Sequence, residues 1–156
     1  MNFIEYLDKL IKSSGEEPLF TGAVDDSTIK EFEAILGVTF PKSYKEFIKK
    51  YGALSFCGDT YYGITGKGKD EKKIPCVLFA TQKSREQGDI SDKMIMIKSS
   101  GYGPLFSIDT ETIGVSGEPV IVETELSFKR DGIKRVVADN YGEFILKNIK
   151  ESIEDL

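Results

Sequence analysis

Apolar residues recur at steps of three and four through three stretches before any strand-like alternation appears. Phe3, Leu7, Leu10 and Ile11, with Ile4 beside them, predict an amphipathic helix over residues 3–12. The segment SSGEEPLFTGAVDD then breaks the period with two glycines and a proline. A second helix is expected to begin at Asp25, Asp26 or Ser27, which are good N-cap types at the positive end of a helix dipole. Its stripe is Ile29, Phe32, Ile35 and Leu36, and Gly37 is placed to close it. VTFPKSYKEFIKKYG predicts a third helix. Pro41 suits the first turn, Tyr44, Phe47, Ile48 and Tyr51 make one apolar face, Lys49 and Lys50 suit the negative end, and Gly52 can close it.

From residue 53 the period shortens. ALSFCG and TYYGI read as short strands parted by Gly58-Asp59, and PCVLFATQKSREQGD as a strand start running on into a short helix. KMIMIKSS, GPLFSIDT and EPVIVETELSF are strand-like, and KRDGIKRV carries an Asp131-Gly132 turn signal. DNYGEFILKNIKESIEDL predicts a closing helix, with Asp139 or Asn140 as cap and Tyr141, Ile145, Ile149 and Ile153 at steps of four. Helices first, then strands, then a helix give an α+β fold. It has N-terminal helices, a mainly antiparallel sheet, and a C-terminal helix packed on it.

Composition narrows the function. A chain of 156 residues is expected to form a single domain over 1–156, and at this size folding buries roughly 70% of the unfolded surface. The start MNFIEYLDKLIKSS is not a secretory signal, and no apolar run is long enough to span a membrane. Two cysteines are too few for a disulfide scaffold, so a reduced, cytoplasmic setting is expected. Cys57 and Cys76 read as unpaired core thiols, although sequence leaves open whether they meet. The net charge of −5 argues against direct nucleic-acid binding. Histidine is absent, which removes Ser-His-Asp and Cys-His nucleophiles and His-ligated metals. Carboxylate, lysine and tyrosine chemistry stay as the open enzymatic routes.

GITGKGKD places Gly63, Gly68 and Lys69 in register with the phosphate-loop pattern G-x-x-x-x-G-K-[ST]. Asp70 stands where a hydroxyl should ligate magnesium, and DEKKIPCV offers no helix before Pro75. The segment therefore reads as a solvated connection between strands, and no cofactor is expected.

Residues 61–98 carry a local charge of +3, whereas 1–60 carry −3 and 99–156 carry −5. Two windows contain no base at all. One holds Glu16, Glu17, Asp25 and Asp26; the other holds Asp109, Glu111, Glu118, Glu123 and Glu125. These acids read either as a solvated face with helix caps or as a docking surface for a basic protein. Tyr61 and Tyr62 alternate across a strand, so one ring should face solvent. An outward Tyr61 beside Asp59 would serve as an anchor. The candidate contact residues are thus Glu16, Glu17, Asp25, Asp26, Asp59, Tyr61, Asp109, Glu111 and Glu118.

IKEFEAILGVTFPKSYKEFIKKYGALSFCGDTYYGI resembles the SUKH superfamily, the group built around the yeast cell-wall-synthesis regulator domain. The matching positions are Ile29, Phe32, Leu36-Gly37, Phe40-Pro41, Tyr44, Phe47, Tyr51-Gly52, Phe56, Gly58 and Tyr62-Gly63-Ile64. Gly101, Gly103, Phe106 and Asp109 are similar to its later strand pair, and Asn140 to Ile145 to its closing helix. The likeness covers about residues 25–150. It implies a domain without catalytic residues. Bacterial members are commonly immunity proteins that bind and neutralise a toxin encoded beside them, often a nuclease, by stoichiometric occlusion. The partner implied is a cognate basic toxin, toward which the lysine-rich loop at 67–73 should not face. Eukaryotic relatives imply the alternative, a regulatory scaffold domain in cell-wall synthesis.

Overall fold

The computed structural model describes residues 2–101 and 103–156. The first three helices form where the apolar period places them. Helix α1, Phe3–Ser14, is capped by Asn2, whose side chain accepts from the Glu5 amide at 3.0 Å. A two-residue strand, β1 (Leu19–Phe20), follows within the segment expected to be a break. Helix α2, Asp26–Leu36, is capped by Asp25, which accepts from the Thr28 amide at 3.0 Å. Ile29, Phe32 and Leu36 are buried, but Ile35 is 44% exposed. Helix α3, Lys42–Tyr51, takes Pro41 as its N-cap residue rather than in its first turn.

Strands β2 (Leu54–Phe56) and β3 (Asp59–Tyr61) form a hairpin, and β1 joins it in an antiparallel sheet of order β1-β2-β3. Cys57 and Gly58 make the turn with φ of 50° and 84°. Two positive φ values give the turn whose twist matches that of the flanking strands. That position exposes Cys57, correcting its reading as a core thiol; Cys76 is buried, and both are unpaired. After a 3-10 turn at Gly68–Asp70 the chain enters helix α4, Val77–Glu86. The strand expected at its start is limited to one bridge between Gly63 and Cys76.

A second antiparallel sheet has the order β4-β5-β6-β7, with β4 at Met94–Ser99, β5 at Leu105–Ile113, β6 at Pro119–Thr124 and β7 at Lys134–Ala138. A short helix, α5 (Phe128–Asp131), lies before β7 and absorbs the end of ELSF. Helix α6, Tyr141–Glu154, is capped by Asn140 and packs on α1, α3, β6 and β7. The architecture is α+β, with the expected helix–sheet–helix order but two sheets instead of one. No helix is long and apolar enough to cross a membrane.

Aromatic packing holds α3 to α6. The Tyr44 ring lies 5.2 Å from Phe40, 6.1 Å from Phe47 and 4.7 Å from Tyr141. Such pairs add about 0.5–1.5 kcal/mol each beyond area burial. The Tyr44 hydroxyl donates to the Tyr62 carbonyl at 2.8 Å, which ties this cluster to the exit of β3.

At that exit two backbones cross. Gly52 ends α3 with φ of 76°, a conformation that favours glycine. Gly63 lies so close that a methyl on it would land on the Gly52 carbonyl. The Ile64 amide donates to Gly52 O at 3.0 Å, and Thr21 Oγ1 accepts from the Ala53 amide at 2.9 Å and donates to Ile64 O at 2.8 Å. On its other side Gly63 donates to Pro75 O at 2.9 Å and accepts from the Val77 amide at 2.8 Å. The obstruction is backbone, so no side-chain rotation relieves it. Gly63→Ala is therefore expected to cost more than about 3 kcal/mol, seen as a large drop in urea midpoint or as loss of soluble protein. Gly66→Ala, at an open position three residues on, should leave stability nearly unchanged.

Candidate docking surface

Several carboxylates expected at the surface are engaged inside the fold. Asp109 is fully buried; it accepts from Lys134 Nζ at 2.7 Å, Thr112 Oγ1 at 2.8 Å and the Glu111 amide at 3.2 Å. Glu118 accepts from the Ser43 amide at 3.1 Å and the Ser43 hydroxyl at 2.7 Å, capping α3 where Pro41 offers no side-chain cap. Asp25 caps α2, and Asp26 pairs with Lys49 at 2.7 Å. Asp109 thus has no surface to offer, and Asp25, Asp26 and Glu118 have structural partners that local charge counting does not show.

Tyr61 also corrects the expectation. It is buried, as is Tyr62, because the chain leaves β3 at this point and donates from Tyr62 N to Ile97 O at 3.0 Å on β4. Simple alternation ends there, so neither ring faces out. Lys98 lies over the Tyr61 ring at 5.1 Å. Glu111 is exposed, at the end of β5 beside the β5–β6 turn.

What remains gathers at one corner. The α1–β1 connection brings Glu16 and Glu17 to the tip of the β2–β3 hairpin. Some desolvation and the charges of Glu16 and Asp59 push the Cys57 thiol upward, which places both acids beside that turn. Ser152 of α6 lies 3.4 Å from Asp59, and burial with the charges of Asp59 and Glu151 raises Tyr61. Lys98 is the base among them. It is mostly buried, donates to Asn148 at 2.8 Å, and its Nζ is 3.7 Å from Asp59. Burial lowers its pKa, and Asp59 and Glu151 oppose that.

Beside these acids the apolar strand β1 is open. Leu19 is 72% exposed and Phe20 55% exposed. Phe20 leans on Tyr51 at 5.7 Å between centroids and helps wall a hollow of about 360 Å³ against α1, with Ile11, Glu16, Glu17 and the Lys12–Asp8 ion pair on its other sides. The arrangement suits a cationic side chain next to an apolar one. Leu19, Phe20, Lys98 and Glu151 escape sequence reasoning. The one available signal is an apolar pair that follows two unopposed glutamates across Pro18. Among the described residues no three of Cys, Asp and Glu gather as a metal site.

The phosphate-loop pattern builds no phosphate cradle. Lys69 is 3.6 Å from Glu31, and Thr65 donates to Glu71 at 3.2 Å. The next helix longer than one turn starts only at Val77.

The family model described as SUKH_6, SMI1-KNR4 cell-wall, matches residues 26–145. The chain belongs to this family. The SUKH_6 match begins at α2, so Asp59 lies inside it while Glu16, Glu17, Leu19 and Phe20 precede it. The open corner thus combines the hairpin of the SUKH_6 region with a segment that comes before it.

The engaged and open acids should separate in experiment. Asp109→Asn in this SUKH_6 chain is expected to cost about 2 kcal/mol in urea unfolding, since it weakens three partly buried hydrogen bonds to a fully buried carboxylate. Glu16→Lys, on the exposed connection, should change stability by no more than about 0.5 kcal/mol. Acid titration gives a second check. Asp139 is held below the ordinary 3.8 by Ser116 above all, with the Val115 amide, and Asp25 is lowered by Thr28 and the Ser27 hydroxyl. Depressed carboxylates stabilise above their unfolded pKa and lose that contribution as pH falls through the folded value. The thermal midpoint should therefore decline below about pH 4, and Asp139→Asn should flatten that decline.

Proposed function

We propose that the chain is an immunity protein that binds a cognate bacterial toxin and neutralises it by stoichiometric occlusion, in the cytoplasm, without catalysis. Family membership supports a protein-binding role. The observation that carries the finer reading is the open corner, where Glu16 and Asp59 lie beside the hairpin tip, Asp59 and Glu151 beside the largely buried Lys98, and Glu16 and Glu17 beside the exposed Phe20. A nuclease toxin needs a basic surface for its polyanionic substrate. An acidic corner raises the on-rate toward such a surface and sets orientation, while the adjoining apolar residues supply contact area that water would otherwise cover. The family's association with the cell wall supports a second reading, a regulatory binding domain for wall synthesis.

Co-expression with the toxin encoded beside it should restore growth, and the purified pair should co-elute with equal stoichiometry. Binding should weaken as salt rises. Glu16→Lys with Glu17→Lys should weaken it at least about tenfold, which is about 1.4 kcal/mol. Cys57 sits at the corner and Cys76 is buried, so maleimide labelling of Cys57 should slow in the complex. Equal protection by the double variant, with no salt dependence, would defeat the charge mechanism. A wall-synthesis protein captured in place of any toxin would favour the second reading.

A further inference from the structure

A bulge in the larger sheet turns one lysine inward. Met96 pairs with Ser107 and Lys98 with Phe106, so Ile97 is an extra residue on β4. Bulges of this kind re-aim a side chain. Ser107 and Phe106 lie on opposite faces of β5. Lys98 follows Phe106 onto the face that α6 covers, where Phe106 meets Phe144 at 5.6 Å between centroids. Continued alternation would have left Lys98 on the face of Met96.

There β3, β5 and α6 enclose its ammonium, and the side chain is only 10% exposed. Nζ lies 5.1 Å from the Tyr61 ring centroid and 5.9 Å from that of Phe106. It donates to Asn148 Oδ1 at 2.8 Å and stands 3.7 Å from Asp59 Oδ1. Asn148 is itself fixed, since its amide nitrogen donates to Phe144 O at 2.8 Å. Replacing an enclosed ion pair by apolar side chains is often neutral or stabilising, so net stability does not explain a lysine at this position. What the enclosed charge adds is geometry.

Asp59 receives that geometry. It begins β3, directly after the Cys57-Gly58 turn. Its Oδ1 faces Lys98 and its Oδ2 lies 3.4 Å from the Ser152 hydroxyl of α6, while the side chain as a whole stays 42% exposed. Glu16 lies beside the same turn, and Glu151 beside Lys98. Like charges gathered this closely repel, and Lys98 supplies the opposite charge from the interior.

We propose that Lys98 is the positioning residue of this corner: it holds the Asp59 carboxylate, and with it the β2–β3 tip, in one pose against α6. The proposal rests on the reading of the corner as a docking surface, where the pose of Asp59 bears on recognition. Its test is made in the chain alone, so either can fail without the other.

Hydrogen exchange of the full chain, read at the amides of Phe56 and Asp59 that pair across the turn, supplies the test. Lys98→Met keeps the stem and removes the ammonium. Both amides are expected to exchange about tenfold faster, with α3 amides at wild-type rates. Asp59→Asn should give the same acceleration. The double variant should give no more than either, because each single change breaks the same pairing. Wild-type exchange at the tip of Lys98→Met would mean that the stem alone matters, and overturns the proposal. Additive effects overturn it too, since Lys98 would then act through another group. Should Lys98→Met not fold, unchanged exchange in Asp59→Asn overturns it alone. Binding of the toxin encoded beside the chain adds a test of sign. Removing a positive charge from an acidic corner should tighten capture of a basic partner by attraction alone, whereas lost positioning should weaken it about tenfold. Tighter binding by Lys98→Met overturns the proposal.

Discussion

The close crossing of Gly52 and Gly63 is the contact on which the other parts of the molecule depend. Five segments meet there within hydrogen-bond reach: the end of β1 through Thr21, the end of α3, the exit of β3, the turn before α4 and, through Tyr62, strand β4. Several polar groups at the crossing find partners in segments distant in sequence, as Thr21 does with Ala53 and Ile64 and Gly63 with Pro75 and Val77. A buried junction of irregular backbone is stable only when its donors and acceptors are satisfied in this way. Thr21 is the economical element, since one hydroxyl both accepts from Ala53 and donates to Ile64. The glycine that falls in a phosphate-loop pattern is thus required for close backbone approach, and the lysines after it belong to the surface.

Charge is handled in two ways. Acids within the fold are matched to donors across long stretches of chain: Glu118 to Ser43, 75 residues away, and Asp109 to Lys134, 25 residues away. Acids on the α1–β1 connection are not. The distinction is physical, because a buried carboxylate without donors would be costly, whereas an exposed one is solvated. A carboxylate that folding has not matched is the kind that remains free to recognise something else.

This is also why the helices were legible and much of the surface was not. Helices α1, α3 and α6 carry stripes that bury as the period predicts. Ile35 departs because it sits about 100° around the axis from Leu36, off the buried face. Helix α4 was half hidden because its buried face includes Ala80, Thr81 and Ser84, which give a weak apolar period. Strand β1 is too short to show a pattern. Tyr61 was misplaced because alternation assumes a strand that continues, and here it ends to meet β4. Among the candidate contacts, Glu16, Glu17 and Asp59 come together. Asp109 and Glu118 do not join them, because their donors lie outside any local window.

The small sheet has two chemically different ends. Strand β1 begins beside Glu16 and Glu17, and the chain after it continues past Thr21 to Ala23 and Val24, which border the loop carrying Lys67 and Lys69. The chain between the hairpin tip and that loop passes through the crossing, so Glu16 and Glu17 are separated from Lys67 and Lys69 by tightly packed backbone. A partner approaching in a field of this kind is oriented before contact. The corner it meets is also already shaped, since β1 is pinned at Thr21, the hairpin tip by its turn, and α6 by the Tyr44–Tyr141 contact. Little further ordering is then required on binding, and that is how a small acidic patch can support a tight complex without a large interface.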